Sequence, residues 1–152
     1  MKKRNPGKFR RYRKQLAEWA EQENLILLPS TGDEYCPENG VISYNKNNRL
    51  EKQVYSILHE CGHHLTQSSK EYVTRHKVQV DALTDGRKTK SLRWRISCLG
   101  EEFQAWERGK KLAKALDFKL NEKRYEDYVA QCLKTYCSWV INPVEYEEEE
   151  EE

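Results

Sequence analysis

Residues 50–67 constrain this chain more than any other stretch. Leu50, Val54, Ile57, Cys61 and Leu65 recur at three- and four-residue spacing, the pattern of a helix with one buried face. Within it stands Leu58-His59-Glu60-Cys61-Gly62-His63-His64. His59 and His63 are four positions apart, so on a helix they project from nearly one face, about 40° apart on the wheel. That face lies away from the centre of the apolar stripe and looks towards a cleft or a neighbouring element. Two imidazoles so placed can share one Zn²⁺ at ~2.0–2.1 Å. Glu60 points beside such an ion, where its carboxylate can take a proton from water. Gly62 lets a neighbouring backbone come close. His64 is turned about 100° from His63 and reads as a packed or hydrogen-bonded histidine, not a ligand.

The rest of the sequence bounds the setting. The chain has 152 residues, of which 34% are charged and 37% hydrophobic. That length suits one domain. No run approaches the ~20 apolar residues of a membrane-spanning helix, and the basic start leads into no secretory signal. The expectation is an intracellular, cytoplasmic protein with no membrane partner. The five cysteines are odd in number and contain no Cys-x-x-Cys pair, so they read as small apolar fillers rather than disulfides.

Along the chain, Phe9, Tyr12, Leu16 and Trp19 predict a first helix. Leu25-Ile26-Leu27-Leu28 reads as a buried strand ending at Pro29. Pro37, Asn39 and Gly40 mark a turn, and Val41-Ile42-Ser43-Tyr44 a short strand. After the helix of residues 50–67, Tyr72, Val73, Val78 and Val80 fit a short helix or a covering loop. A long helix is predicted from about Ser91 to Leu116, with Leu92, Ile96, Leu99, Phe103, Trp106 and Ala113 as its buried stripe. Gly100 and Gly109 weaken it locally. Asn121 caps a last helix that stops at Asn142-Pro143.

A catalytic zinc takes three protein ligands and keeps one position open. The metzincin continuation would need glycine and histidine where Thr66 and Ser69 stand, which excludes that class. Two candidates for the third ligand remain, a glutamate of the long helix or His76. Glu101 lies far from the apolar stripe and is expected in solvent. Glu102 lies at the stripe's edge, half buried and aimed inward, and is favoured; Glu107, on the opposite edge, is the weaker alternative.

Val41-Ile42-Ser43-Tyr44, then Ile57-Leu58-His59-Glu60-Cys61-Gly62-His63, then Glu102-Phe103-Gln104-Ala105 resembles the ImmA/IrrE-type zinc metallopeptidases, gluzincin-like proteins with His-Glu-x-x-His followed by Glu-x-x-Ala on a later helix. The resemblance covers about residues 40 to 110. It implies one Zn²⁺ per chain, held by His59, His63 and Glu102, with Glu60 as general base. The sequence departs from that pattern in the basic Arg87–Arg95 segment before Glu102 and in Trp106-Glu107-Arg108-Gly109 after Ala105. The chain is also similar to SprT-like proteases, in which a later histidine completes the site; that similarity would place His76 on the metal. If His76 is not a ligand, it or Tyr72 could stabilise an oxyanion.

The architecture expected from these readings is α+β: one mainly helical, zincin-like domain over residues 1–144, with a small N-terminal β-sheet and the His-Glu-x-x-His helix, followed by a disordered acidic tail over 145–152. The expected function is zinc-dependent hydrolysis of peptide bonds in an intracellular protein substrate through a zinc-activated water. The ImmA/IrrE resemblance implies regulatory cleavage of a repressor-like partner, and a phage or mobile-element origin would fit. The alternative is a non-catalytic module, stabilised by zinc, that binds nucleic acid or protein. Residues 1–14 carry eight Lys or Arg and no acid, against seven Glu in 145–152, within a net charge of +2. Lys8, Arg10, Arg11, Arg13 and Lys14 are therefore candidates for contacting nucleic acid phosphates, with Tyr12 adding stacking, although a solvated amphipathic helix explains the same pattern.

Overall fold

The computed structural model describes residues 6–83 and 91–143. The acidic tail, Lys2, Lys3 and Arg4, and Arg87, Lys88 and Lys90 of the basic Arg87–Arg95 segment lie outside the described residues. The fold is α+β and mostly helical. In chain order it comprises α1 (Pro6–Gln22), β1 (Ile26–Ser30), β2 (Glu34–Cys36), β3 (Val41–Asn45), α2 (Leu50–Gln67), α3 (Tyr72–Arg75), α4 (Lys77–Ala82), α5 (Leu92–Ala115) and α6 (Glu122–Ile141). Among the described residues, no helix is long and apolar enough to cross a membrane.

The chain divides into two compact units. One comprises Met1–Leu65 with Ala105–Leu120, the other Thr66–Gln104 with Asn121–Glu152. The boundary falls inside α5, which runs without a break through both.

In the first unit, α1 buries Tyr12, Leu16 and Ala20. Two residues beyond its end stands Asn24, whose φ of 59° is left-handed. The Leu25 amide then donates back to the Ala20 carbonyl at 2.8 Å. This closure satisfies a terminal carbonyl and turns Leu25 into the core. The last turn of α5 closes the same way. Asp117 has a φ of 59°, and the Phe118 amide donates to the Ala113 carbonyl at 2.8 Å. Phe118 is thereby delivered to Tyr12, on which it stacks with ring centroids 4.1 Å apart.

The sheet has the order β1-β3-β2. β1 pairs parallel with β3, Ile26 opposite Val41 and Ser30 opposite Asn45. β2 pairs antiparallel with β3, Tyr35 opposite Ile42. The turn of residues 37–40 joins β2 to β3, and Gly40 takes a φ of 65° that an L side chain rarely adopts. β2 itself has too few residues to show a hydrophobic alternation in the sequence. The reading of residues 25–28 as a buried strand is corrected. β1 is an edge strand that continues through Pro29, and Ile26 is 56% exposed. An edge position tolerates a residue without an amide proton, which a central strand would not.

In the second unit, Asn121 caps α6, its side chain accepting from the Arg124 amide at 3.0 Å. Trp94 meets Trp139 edge to face, and the Arg95 Nε donates to the Val140 carbonyl. The stripe expected on the long helix is corrected for its first half. Leu92, Ile96 and Phe103 are each more than half exposed. α5 instead turns Ser97, Gly100 and Gln104 towards the buried His76. The polar side faces inward here because the covering segment presents an imidazole rather than an apolar chain.

Candidate metal centre

Two glycines set the crossing of α2 and α5 inside the first unit. A Cβ on Gly62 would lie 2.6 Å from the carbonyl carbon of Ala105, and one on Gly109 would lie 2.5 Å from the carbonyl oxygen of Leu58. Each helix thus contributes one notch into which the other's backbone fits, which no larger residue would allow. Gly109, which weakens α5 by propensity, is thus a condition for this approach.

Along α2, His59, Glu60 and His63 are brought to one place. Glu60 and His63 are buried, and the His59 side chain is 12% exposed. The His59 and His63 rings have centroids 4.6 Å apart. The His59 Nδ1 stands 3.5 Å from the Glu60 Oε1. Glu102 precedes Ala105 by less than one turn on the same unbroken helix. His59, His63 and Glu102 each offer one ligand atom, and these atoms all lie within 4.8 Å of one another. This is the one such group of three among the described residues, and it could hold a metal ion.

The group suits zinc in chemistry and in reach. Two imidazoles and one carboxylate form a known donor set of catalytic zinc. Tetrahedral ligands at ~2.0–2.1 Å stand roughly 3.4 Å apart, a spacing that small side-chain rotations reach from here. Among the described residues no cysteine joins this group. Burial pushes the Cys61 thiol up, with the Glu60 charge adding to it. Burial, followed by the charges of Glu101 and Glu102, raises Cys98 to about 12.

His76 is placed elsewhere. It is buried, with Nδ1 3.0 Å from the Ser97 Oγ and Nε2 3.1 Å from the Gln104 Oε1. The Gln79 amide lies 3.3 Å from the same Nδ1. His76 is not a member of the three-residue group. Glu101, expected in solvent, is instead buried, and this corrects the sequence reading. It accepts from the Gln67 amide at 3.4 Å and is hydrogen-bonded to Tyr72. Burial, then the Glu101 charge and that hydrogen bond, push the Tyr72 phenol up, so it remains a neutral donor committed to Glu101. Glu107, the weaker third-ligand candidate, is exposed and outside the group.

His64 is held between two elements. Its Nδ1 lies 3.0 Å from the Tyr35 hydroxyl of β2 and its Nε2 3.2 Å from the Glu23 carboxylate that follows α1. It pins the helix one residue beyond His63. A further residue at the centre went unassigned by the sequence analysis. Trp106, one turn after Glu102, lies flat on the His59 ring, with centroids 4.1 Å apart and planes 8° from parallel. Its helical spacing from Glu102 was the available signal.

The basic residues of α1 divide into two sets. Lys8 and Arg11 sit over the Tyr12 ring, and Arg13 sits over Tyr44 while donating to the Gln53 side chain at 2.7 Å. Arg10 and Lys14 are exposed. Tyr12 does not offer the stacking face expected of it. It is buried against Phe118, and its hydroxyl accepts from the Lys119 amide at 2.7 Å.

Compared with protein-family models, with curated proteins and with solved structures, the chain matches none.

Proposed function

We propose that this chain is a zinc-dependent metallopeptidase that hydrolyses a peptide bond of an intracellular protein substrate. The observation that carries the reading is a buried Glu60 carboxylate beside a grouping of two histidines and one glutamate. Three ligands leave a position open, whereas a structural site is commonly closed by four, with cysteine among them. Among the described residues no cysteine belongs to the group, which favours an enzyme over a metal-stapled scaffold. The resemblance to ImmA/IrrE-type metallopeptidases supports the same assignment.

His59, His63 and Glu102 would hold the ion. Zinc bound there supplies a Lewis acid that polarises a peptide carbonyl and acidifies water. Glu60 accepts a proton at a carboxylate oxygen from the attacking water and gives it to the departing amine, so it ends the cycle ionised as it began. The pin at His64 and the Gly62 notch hold the helix that carries these groups.

The test is Glu60→Gln. Gln keeps the size of Glu but cannot take the proton. Wild type is expected to cleave members of a panel of unfolded and fluorogenic substrates. Glu60→Gln is expected to lose ~10²–10⁴-fold in rate at equal zinc content. Equal rates in the two proteins would reject the role given to Glu60.

A further inference from the structure

A histidine that binds a metal must present one ring nitrogen along a fixed direction. Its χ2 torsion is broad and two-fold, so the ring plane has to be set by something outside the side chain. Commonly a hydrogen bond to the second ring nitrogen does this. At His59 the structure shows an additional restraint of another kind. The Trp106 indole covers one face of the imidazole at 4.1 Å, within 8° of parallel. Trp106 is 4% exposed, so it is itself fixed. It follows Ala105, whose backbone fills the Gly62 notch, and that contact locks the indole at the height of the ring. One helix thus supplies a carboxylate to the group through Glu102 and a wall to another member of it through Trp106.

The contact also has an electrostatic consequence. An imidazole that donates a lone pair to a divalent cation becomes more positive. The face of an indole is the most electron-rich surface among the side chains, and it attracts positive charge stacked on it. A ring held flat against tryptophan is therefore favoured both in orientation and in charge when metal is present. An aliphatic side chain of similar bulk would supply neither.

We propose that Trp106 is a positioning residue of the metal centre. It fixes the plane of His59 and stabilises the charge that this ring gains on binding the ion. The proposal rests on the reading of His59 as a ligand. It adds a residue that lies outside the Glu-x-x-Ala pattern.

The experiment compares wild type with Trp106→Phe, which keeps an aromatic face, and Trp106→Leu, which does not. Zn²⁺ affinity is measured by competition with a chromophoric chelator, and ligand geometry by the d–d absorption of the Co²⁺ form. Folding of each metal-free protein is checked by circular dichroism. Trp106→Leu is expected to lose ~10–100-fold in Zn²⁺ affinity and to change the Co²⁺ spectrum, as outer-shell partners do. Trp106→Phe is expected to recover most of both. A folded Trp106→Leu with wild-type affinity and an unchanged Co²⁺ spectrum would overturn the proposal while leaving the metal reading intact. If Trp106→Leu does not fold, tryptophan fluorescence carries the test. Co²⁺ should quench wild type more strongly than Trp106→Phe, and equal quenching would overturn the proposal. A wild-type protein that binds neither Zn²⁺ nor Co²⁺ would overturn the metal reading and this inference together.

Discussion

Gly62 of α2 and Ala105 of α5 meet backbone to backbone, closer than any side chain at position 62 would permit. Gly62 immediately precedes His63, and Ala105 lies between Glu102 and Trp106 in the turn of α5 that reaches the histidines. The contact therefore fixes the height at which α5 passes the motif helix. Gly109 against Leu58 repeats it about one turn of α2 away in the opposite sense, α5 now carrying the glycine. Together they define the crossing of α2 and α5 within the first unit.

The sign of a Gly62→Ala substitution is accordingly expected to run against helix propensity. Alanine in a helix is better than glycine by about 1 kcal/mol. Here the added methyl would meet a backbone carbonyl that cannot rotate aside, and overpacking of this kind costs about 1–3 kcal/mol or more. Urea unfolding of the metal-free protein should show Gly62→Ala less stable than wild type. A more stable variant would show that the helices are free to separate.

Metal content should depend on both histidines. Purified protein is expected to bind one Zn²⁺ per chain, and His59→Ala or His63→Ala should lose affinity beyond the ~10–100-fold typical of an outer-shell change. Elemental analysis after dialysis against a weak chelator reads this directly. Equal zinc in wild type and both variants would refute the site.

Glu102 and His76 should separate cleanly. Glu102→Ala is expected to weaken zinc binding. His76→Ala should leave zinc bound but destabilise the fold, because Ser97 and Gln104 lose a buried partner. Ser97 and Gln104 are half-buried, and Ser97 keeps a hydrogen bond from Gln79, so the loss is expected at the lower end of the about 1–3 kcal/mol that a stranded buried group costs. Calorimetric zinc titration paired with denaturation of the metal-free proteins distinguishes the two. Zinc loss in His76→Ala with none in Glu102→Ala would reverse the assignment and favour the SprT-like pattern.

Removing metal should lower stability by mass action. At free zinc one hundred times the dissociation constant, binding to the native state alone adds about 2.7 kcal/mol. Thermal melts with and without EDTA should differ for wild type and for Glu60→Gln, but not for His63→Ala. Identical shifts in all three would place the bound metal elsewhere.

What the sequence made legible is what local rules decide. The helix of residues 50–67 announces itself by period. Asn121 is recognisable as a cap because its side chain reaches an amide three residues on. Glu102 could be placed at the edge of a stripe even though half of that stripe proved exposed, because Ala105, Trp106, Leu112 and Ala113 keep the pattern in the second half of α5. The burial of Glu101 was not legible. It depends on Gln67 at the end of α2 and on Tyr72, which arrives from a segment with no strong period of its own. β2 was missed because its pairing with β3 is a tertiary fact. The stack of Trp106 on His59 was hidden for the same reason.

The closure of the first unit bears on the order of events during folding. Tyr12 and Lys119, which share a hydrogen bond, are 107 residues apart in the chain. The second half of α5 can join α1 and α2 only after the long excursion through residues 66–104 has been gathered in. Equilibrium is forgiving of that excursion, since doubling a loop adds only about 0.6 kcal/mol of closure entropy. Time is less so, because contacts between distant residues are slow to form. The motif helix should appear early and stand alone, with its histidines paired and its carboxylate partner still missing. Stopped-flow refolding with a zinc indicator should then find tight metal capture in the last phase, as the mark that α5 has arrived, rather than as the event that starts collapse.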